Sequence, residues 1–103
     1  MPQTALVDTE LAQRILRAVA SVPPGRVATY GDVAAEAGGN SARFAGWVLS
    51  HLAEDDLPWH RVLPVSGRPV PRLADRQLAR LAAEGVPSAG GRVAMRRYRI
   101  DLR

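Results

Sequence analysis

Apolar residues along the chain recur first at helical spacing. Leu11, Ile15 and Val19 fall four apart with Leu16 beside them, which predicts a helix with one apolar face between Asp8 and Val22. Asp8 or Thr9 caps its start, Glu10 suits its dipole, and Arg14 and Arg17 fall on the wet side. Pro23-Pro24-Gly25 turns the chain. Arg26 to Tyr30 reads as a short extended connection. Thr29, with Asp32 three residues on, then makes a capping-box-like start for a short helix, Val33 to Ala37, which Gly38-Gly39 stops. Asn40 or Ser41 caps a third helix running to about Ala53, with Ala45, Val48, Leu49 and Leu52 as its buried stripe. Gly46 in mid-helix costs about 1 kcal/mol against alanine, which predicts close packing there.

Glu54-Asp55-Asp56 is a solvated acidic loop, and Leu57 to Pro64 is an apolar stretch that contains Trp59 and His60. Ser66 to Pro71 reads as a surface loop. Leu73 to Glu84 is a further helix, with Leu78, Leu81 and Ala82 facing inward and Gly85 ending it. From Arg92 to Arg103 the pattern alternates, with Tyr98, Ile100 and Leu102 opposite Arg97, Arg99 and Asp101. That predicts a short terminal strand or ribbon whose arginines either touch a polyanion or lie solvated. With no repeat, linker or low-complexity tract, residues 1–103 read as one small domain around one core. The second and third helices, joined by a tight Gly-Gly-Asn turn, form a helix-turn-helix pattern. Helical hairpins that touch no DNA share that pattern.

Composition narrows the classes. A hydrophobic fraction of 47% is that of a globular protein. No apolar run approaches the roughly 18 residues that span a bilayer. Met1-Pro2-Gln3-Thr4 lacks a signal peptide's charged region and apolar stretch, so a cytoplasmic protein is expected, nucleoid-associated if bacterial. There is no cysteine, which excludes disulfides, thiolate metal sites and cysteine nucleophiles. The two histidines, nine residues apart, make a poor zinc signature, and no cofactor is expected. The net charge is +4 and all fourteen basic residues are arginines. Such a surface attracts polyanions and forks onto phosphate. A genome-wide preference for arginine gives the same balance.

Four features occur in one order: Val22-Pro23-Pro24-Gly25-Arg26-Val27-Ala28-Thr29-Tyr30-Gly31-Asp32-Val33-Ala34, then Ser41-Ala42-Arg43, then Pro58-Trp59-His60-Arg61-Val62, then Glu84-Gly85. Over roughly residues 8 to 86 this resembles the C-terminal DNA-binding domain of the O6-alkylguanine-DNA alkyltransferases. Those enzymes carry a cysteine between the proline and histidine of the third motif, where this chain has Trp59. The variant is similar to the alkyltransferase-like proteins. The resemblance implies a mainly helical, small winged-helix-like helix-turn-helix domain with short extended segments. It also implies a monomer that binds O6-alkylguanine in double-stranded DNA from the minor groove without repairing it, and presents the lesion to nucleotide excision repair proteins. Dealkylation needs a soft nucleophile that attacks carbon and keeps the alkyl group. Indole cannot do this, because its nitrogen lone pair belongs to the ring and its N–H only donates.

The resemblance also implies roles for residues at matching positions. Trp59 becomes an apolar wall for a flipped base. Arg43 matches the arginine finger that fills the space the extruded nucleotide leaves. Tyr30 matches the tyrosine that crowds the neighbouring phosphate, and Thr29 and the Ala42 N–H hold phosphates nearby. His60 and Glu84 match a charge relay that here has no thiol to serve, so they are expected to hold the pocket floor, with Arg61 as a scaffold hydrogen bond or salt bridge. Arg72, with Arg68 as competitor, matches an arginine that lies over the flipped guanine, a contact of roughly 0.5–2 kcal/mol.

The chain departs from the enzymes where Gly67 to Arg72 replaces their Gly-Tyr-Ser-Gly-Gly type stretch, which suggests a differently shaped pocket. Phe44 and Trp47 are bulky on the third helix; Trp47 reads as a DNA contact or as core-edge packing, and packing is the expectation. His51 lies near the enzymes' hinge asparagine. Two other readings compete: a general DNA-binding regulator without lesion specificity, and an enzyme using His60 and Glu84 on a water, which lacks a metal set or a second carboxylate.

Overall fold

The computed structural model describes residues 9–100. In order come α1 (Thr9–Ala20), β1 (Ala28–Thr29), α2 (Tyr30–Glu36) and α3 (Ala42–Leu52). A 3-10 turn at Trp59–Arg61, β2 (Val62–Leu63) and a second 3-10 turn at Pro71–Leu73 lead to α4 (Ala74–Ala83). The strands β3 (Ser88–Ala89) and β4 (Arg92–Val93) and the one-turn helix α5 (Met95–Tyr98) follow. The fold is mainly helical, with two short two-stranded sheets.

Local signals set the helix ends. The capping box at α2 is complete: the Thr29 hydroxyl accepts from Asp32 N–H at 2.9 Å, and the Asp32 carboxylate accepts from Thr29 N–H at 3.0 Å. It starts α2 at Tyr30, three residues ahead of the apolar run. Ser41 caps α3, its hydroxyl accepting from Phe44 N–H at 3.0 Å. Asp8, the alternative cap for α1, lies outside the described residues. Arg14 is less wet than expected, because its Nε donates to the Ala37 carbonyl at 2.8 Å while its guanidinium pairs with Glu10 at 3.2 Å. It ties α1 to the C-terminal end of α2.

The strands β1 and β2 pair in parallel, Ala28 with Val62 and Thr29 with Leu63. Side chains alternate along a strand. Val62 therefore joins Ile15, Val19, Val33, Ala45 and Val48 in a core between α1, α2 and α3. Leu63 joins Val27, Leu81, Val86 and Val93 in a second cluster under α4. This small sheet is the seam between the two clusters.

Three expectations are corrected. Leu52, expected in the buried stripe of α3, is 42% exposed at the helix end, where the chain turns away. Ala82, expected inward on α4, is exposed, while Gln77 is buried at 2%. Pro71 opens a 3-10 turn, so α4 begins at Ala74 and its inner face runs through Gln77 and Leu81. The terminal segment is no single strand. Arg92–Val93 forms an antiparallel ribbon with β3, α5 interrupts, and among the described residues only Arg99 bridges to Val27. The helical turn splits the expected apolar side: Tyr98 packs on the second cluster and Ile100 on the first. Leu102 and Asp101 lie outside the described residues. The ribbon rests on Gly67, whose carbonyl accepts from Val93 N–H at 3.0 Å. At φ +81 a Cβ on Gly67 would collide with the Val93 carbonyl, so only glycine fits this turn.

Candidate nucleic-acid interface

The parallel pairing of β1 with β2 decides the site. It carries the Thr29–Tyr30 turn to the strand that follows Trp59. The start of α3 and the 3-10 turn before α4 close around the same space. The result is an open cavity of about 840 Å³, within the range of ligand pockets. Thr29, Tyr30, Ala42, Arg43, Trp59 and Arg72 all line it. They come from separate stretches of sequence. Arg43 is exposed on the first turn of α3, and first-turn N–H groups of a helix lack partners within the helix. Tyr30 is half-buried, and burial pushes its hydroxyl above the ordinary value, so it stays a neutral donor at physiological pH.

Gly46 also lines the cavity. A Cβ there would meet only Tyr30 Cδ1, at 4.0 Å. The close packing expected of this glycine is absent. What the missing side chain leaves is cavity space.

Of the two competing arginines, the structure brings Arg72 to the cavity and turns Arg68 away, where its guanidinium donates to the Gly90 carbonyl at 3.2 Å. Arg76 is a residue that the sequence pattern did not single out. It lines the cavity and lies 5.3 Å from the centroid of the Trp59 ring, with Arg80 at 5.4 Å. Arg72, Arg76 and Arg80 recur every four residues, and that spacing is the signal that would have found them. Arg76 and Arg80 are both exposed, and a cation–ring contact at such positions contributes about 0.5–1 kcal/mol towards holding the indole.

His60 was expected at the pocket but does not line it. It is buried edge-on to Trp59, centroids 6.1 Å apart. Its Nε2 lies 2.9 Å from Glu84 Oε2. A carboxylate only accepts here, so Nε2 carries the hydrogen. Nδ1 is buried and has no hydrogen-bond partner among the described residues. Arg61 forks onto the same carboxylate, Nε to Oε1 at 3.0 Å and a terminal nitrogen to Oε2 at 2.7 Å, and donates to the Val22 carbonyl at 2.9 Å. The Arg61 fork, with help from His60, holds the Glu84 carboxyl down at about 2. Gln77, also unforeseen, donates its amide to the carbonyls of His60 and Val62, at 3.0 and 2.9 Å. The backbone behind Trp59 is therefore pinned from α4 and from the loop that follows it.

Trp47 is 38% exposed and stacks between Phe44 and His51 on the outer side of α3, away from the cavity lining. It does not pack into the core edge as expected. Among the described residues no three His, Asp or Glu side chains converge as metal ligands, and no helix is long and apolar enough to cross a membrane.

Residues 10–86 match the family described as 6-O-methylguanine DNA methyltransferase, DNA binding domain. The chain is 42% identical over 106 aligned positions to a DNA base-flipping protein of Escherichia coli K12, covering 96% of this chain and 82% of the relative. It is 39% identical over 83 positions to alkyltransferase-like protein 1 of Schizosaccharomyces pombe, covering 75% and 77% of the two chains. Its fold superposes on S. pombe Atl1 in complex with damaged DNA containing O6-carboxymethylguanine, with a TM-score of 0.78 and 31% identity over 89% of this chain and 95% of that one. The shared domain, the motif order and the tryptophan standing in a cysteine-free chain agree: this protein belongs to the alkyltransferase-like family.

Proposed function

We propose that this protein is a non-enzymatic sensor of O6-alkylguanine in double-stranded DNA. It extrudes the lesion into the cavity beside Trp59 and marks it for nucleotide excision repair. The observation that carries this reading is the convergence of Tyr30, Arg43, Trp59 and Arg72 on one cavity.

In this reading α3 enters the minor groove from its N-terminal end. Arg43 inserts into the duplex and donates to the orphaned base. Its planar guanidinium stacks where a methylene chain would not. Tyr30 crowds the phosphate beside the lesion, while Thr29 and the Ala42 N–H hold neighbouring phosphates. The damaged pair opens at less cost than an intact one, which supplies part of the selectivity. The extruded base meets the Trp59 face, and Arg72 lies over it as a cation on an electron-rich ring. His60, Arg61 and Glu84 do no chemistry. They fix the backbone that carries the indole. No thiol receives the alkyl group, so the lesion stays in the cavity, and the persisting complex is a platform for excision-repair proteins. We place the protein in the cytoplasm with the DNA, acting as a monomer in which residues 1–103 form one domain.

The test is a matched pair of duplexes, one with O6-methylguanine and one with guanine, titrated with the protein. Tighter binding of the lesion supports the reading, and equal affinities refute it in favour of a general DNA-binding regulator. Mass analysis of protein and DNA after incubation should find no methyl group moved. A methylated protein would overturn the non-enzymatic assignment.

A further inference from the structure

The arginine-rich C-terminal segment lies beyond the matched family domain, which ends at residue 86, and the proposed function leaves it without a role. The structure laces this segment onto the strand that carries the DNA-binding turn. Val27 N–H donates to the Tyr98 carbonyl at 3.0 Å, and Ile100 N–H donates to the Val27 carbonyl at 2.8 Å. Arg26 donates to the Arg97 carbonyl at 3.1 Å. These bonds deliver Arg99 to Asp32. Its Nε reaches Oδ2 at 2.9 Å and a terminal nitrogen reaches Oδ1 at 2.7 Å, a two-pronged ion pair between residues 67 apart in sequence.

Asp32 is in an awkward place. An acceptor oxygen there is needed locally, since it accepts from Thr29 N–H and completes the cap that starts α2. Asp32 is also a negative charge one residue from Gly31 and three from Thr29, both of which line the cavity against which, in the proposed function, the backbone of DNA would lie. A carboxylate there repels phosphate. We propose that Arg99 is a positioning residue for DNA binding: it neutralises and holds the Asp32 carboxylate, so that the capped Thr29–Tyr30 turn can lie against phosphates. The C-terminal segment is then part of the binding apparatus and acts through Asp32, not by direct contact with DNA. Arg99 is the first cause of the lowered Asp32 carboxyl, in keeping with the two-pronged contact.

The inference rests on the Thr29–Tyr30 turn meeting DNA, as proposed above. Its test is a cycle of four full-length proteins: wild type, Arg99→Gln, Asp32→Asn and the double variant. Each is checked for folding by circular dichroism and titrated against both duplexes at low and moderate salt. Arg99→Gln should bind both duplexes about fivefold more weakly, the effect of one uncompensated charge across a partly hydrated gap. The lesion-to-guanine ratio should hold, because the pocket is untouched, and the deficit should shrink as salt rises. Asp32→Asn in the Arg99→Gln background should return binding to within about twofold of wild type, since no uncompensated charge then remains. The amide that Asp32→Asn introduces retains an oxygen for the Thr29 N–H, so this change alone should leave binding as tight as wild type or tighter. A double variant as weak as Arg99→Gln would mean that Arg99 touches DNA itself or serves only the fold, and would overturn the proposal. So would an Arg99→Gln protein that binds normally. Should Arg99→Gln be unfolded at the assay temperature, Asp32→Asn alone decides, and weaker binding refutes. If wild type failed to distinguish the lesion, the damage-sensing reading would fall, while the cycle on the plain duplex would still judge Arg99.

Discussion

Glu84→Gln isolates what holds Trp59 in place. The change keeps the shape and removes the charge that Arg61 forks onto and that His60 Nε2 meets. Arg61 and Glu84 side chains are only 14% and 19% exposed, so the guanidinium loses its counter-charge in a mostly dry setting. In the folded protein the Glu84 carboxyl sits at about 2 against an ordinary 4.5. A depression of that size, discounted for the solvent that still screens the pair, corresponds to about 2 kcal/mol of stability at neutral pH. For a chain of this length that is about 10 °C in melting temperature. The direction with pH follows from the sign of the shift. A carboxyl lowered by folding stabilises above its unfolded value, and that stability is lost as pH falls from about 4.5 towards 2. Thermal melts of wild type and variant, followed by circular dichroism from pH 7 to pH 2, should therefore lie far apart at neutral pH and converge in acid. Equal melting temperatures at pH 7 would refute the stabilising role of the triad. A gap undiminished at pH 2 would show that it is not electrostatic.

Other substitutions separate scaffold from site. Arg43→Ala should weaken binding to the O6-methylguanine duplex at least tenfold, about 1.4 kcal/mol, with an unchanged melting temperature, measured by fluorescence anisotropy. Gly46→Ala should stabilise α3 by about 1 kcal/mol in a thermal melt while placing a methyl group in the cavity and weakening lesion binding. Gly67→Ala should destabilise by about 2 kcal/mol in urea titration, because it meets both a positive φ and the Val93 carbonyl. Arg72→Ala should lower lesion preference more than Arg68→Ala in paired titrations, since only Arg72 faces the cavity.

The helices were legible because their determinants are local. Periodicity in α1, the Thr29–Asp32 box and the Ser41 cap all act within four residues, where sequence alone brings groups together. The misplacements arise where local pattern was outvoted. Leu52 repeats the stripe of α3 but sits where the helix ends. Gln77 is polar yet buried, because two backbone carbonyls on the strand behind Trp59 need a donor. Gly46 promised contact and instead left room, since what a glycine does depends on what faces it.

By itself the sequence determined the main helices, the order of the motifs and the absence of a thiol: with tryptophan in the motif and no cysteine, these 103 residues offer no thiol to receive an alkyl group. Only the tertiary structure decided that Thr29 and Tyr30 stand beside Trp59, that Arg72 faces the cavity and Arg68 does not, and that Arg99 reaches back to Asp32. The reason lies in distance along the chain. The partners of Glu84 lie 23 and 24 residues away and the ion-pair partner of Asp32 lies 67 away, so no local period encodes these pairs. They meet because two apolar clusters pack against opposite faces of one short parallel sheet, and that packing sets which polar groups come within reach.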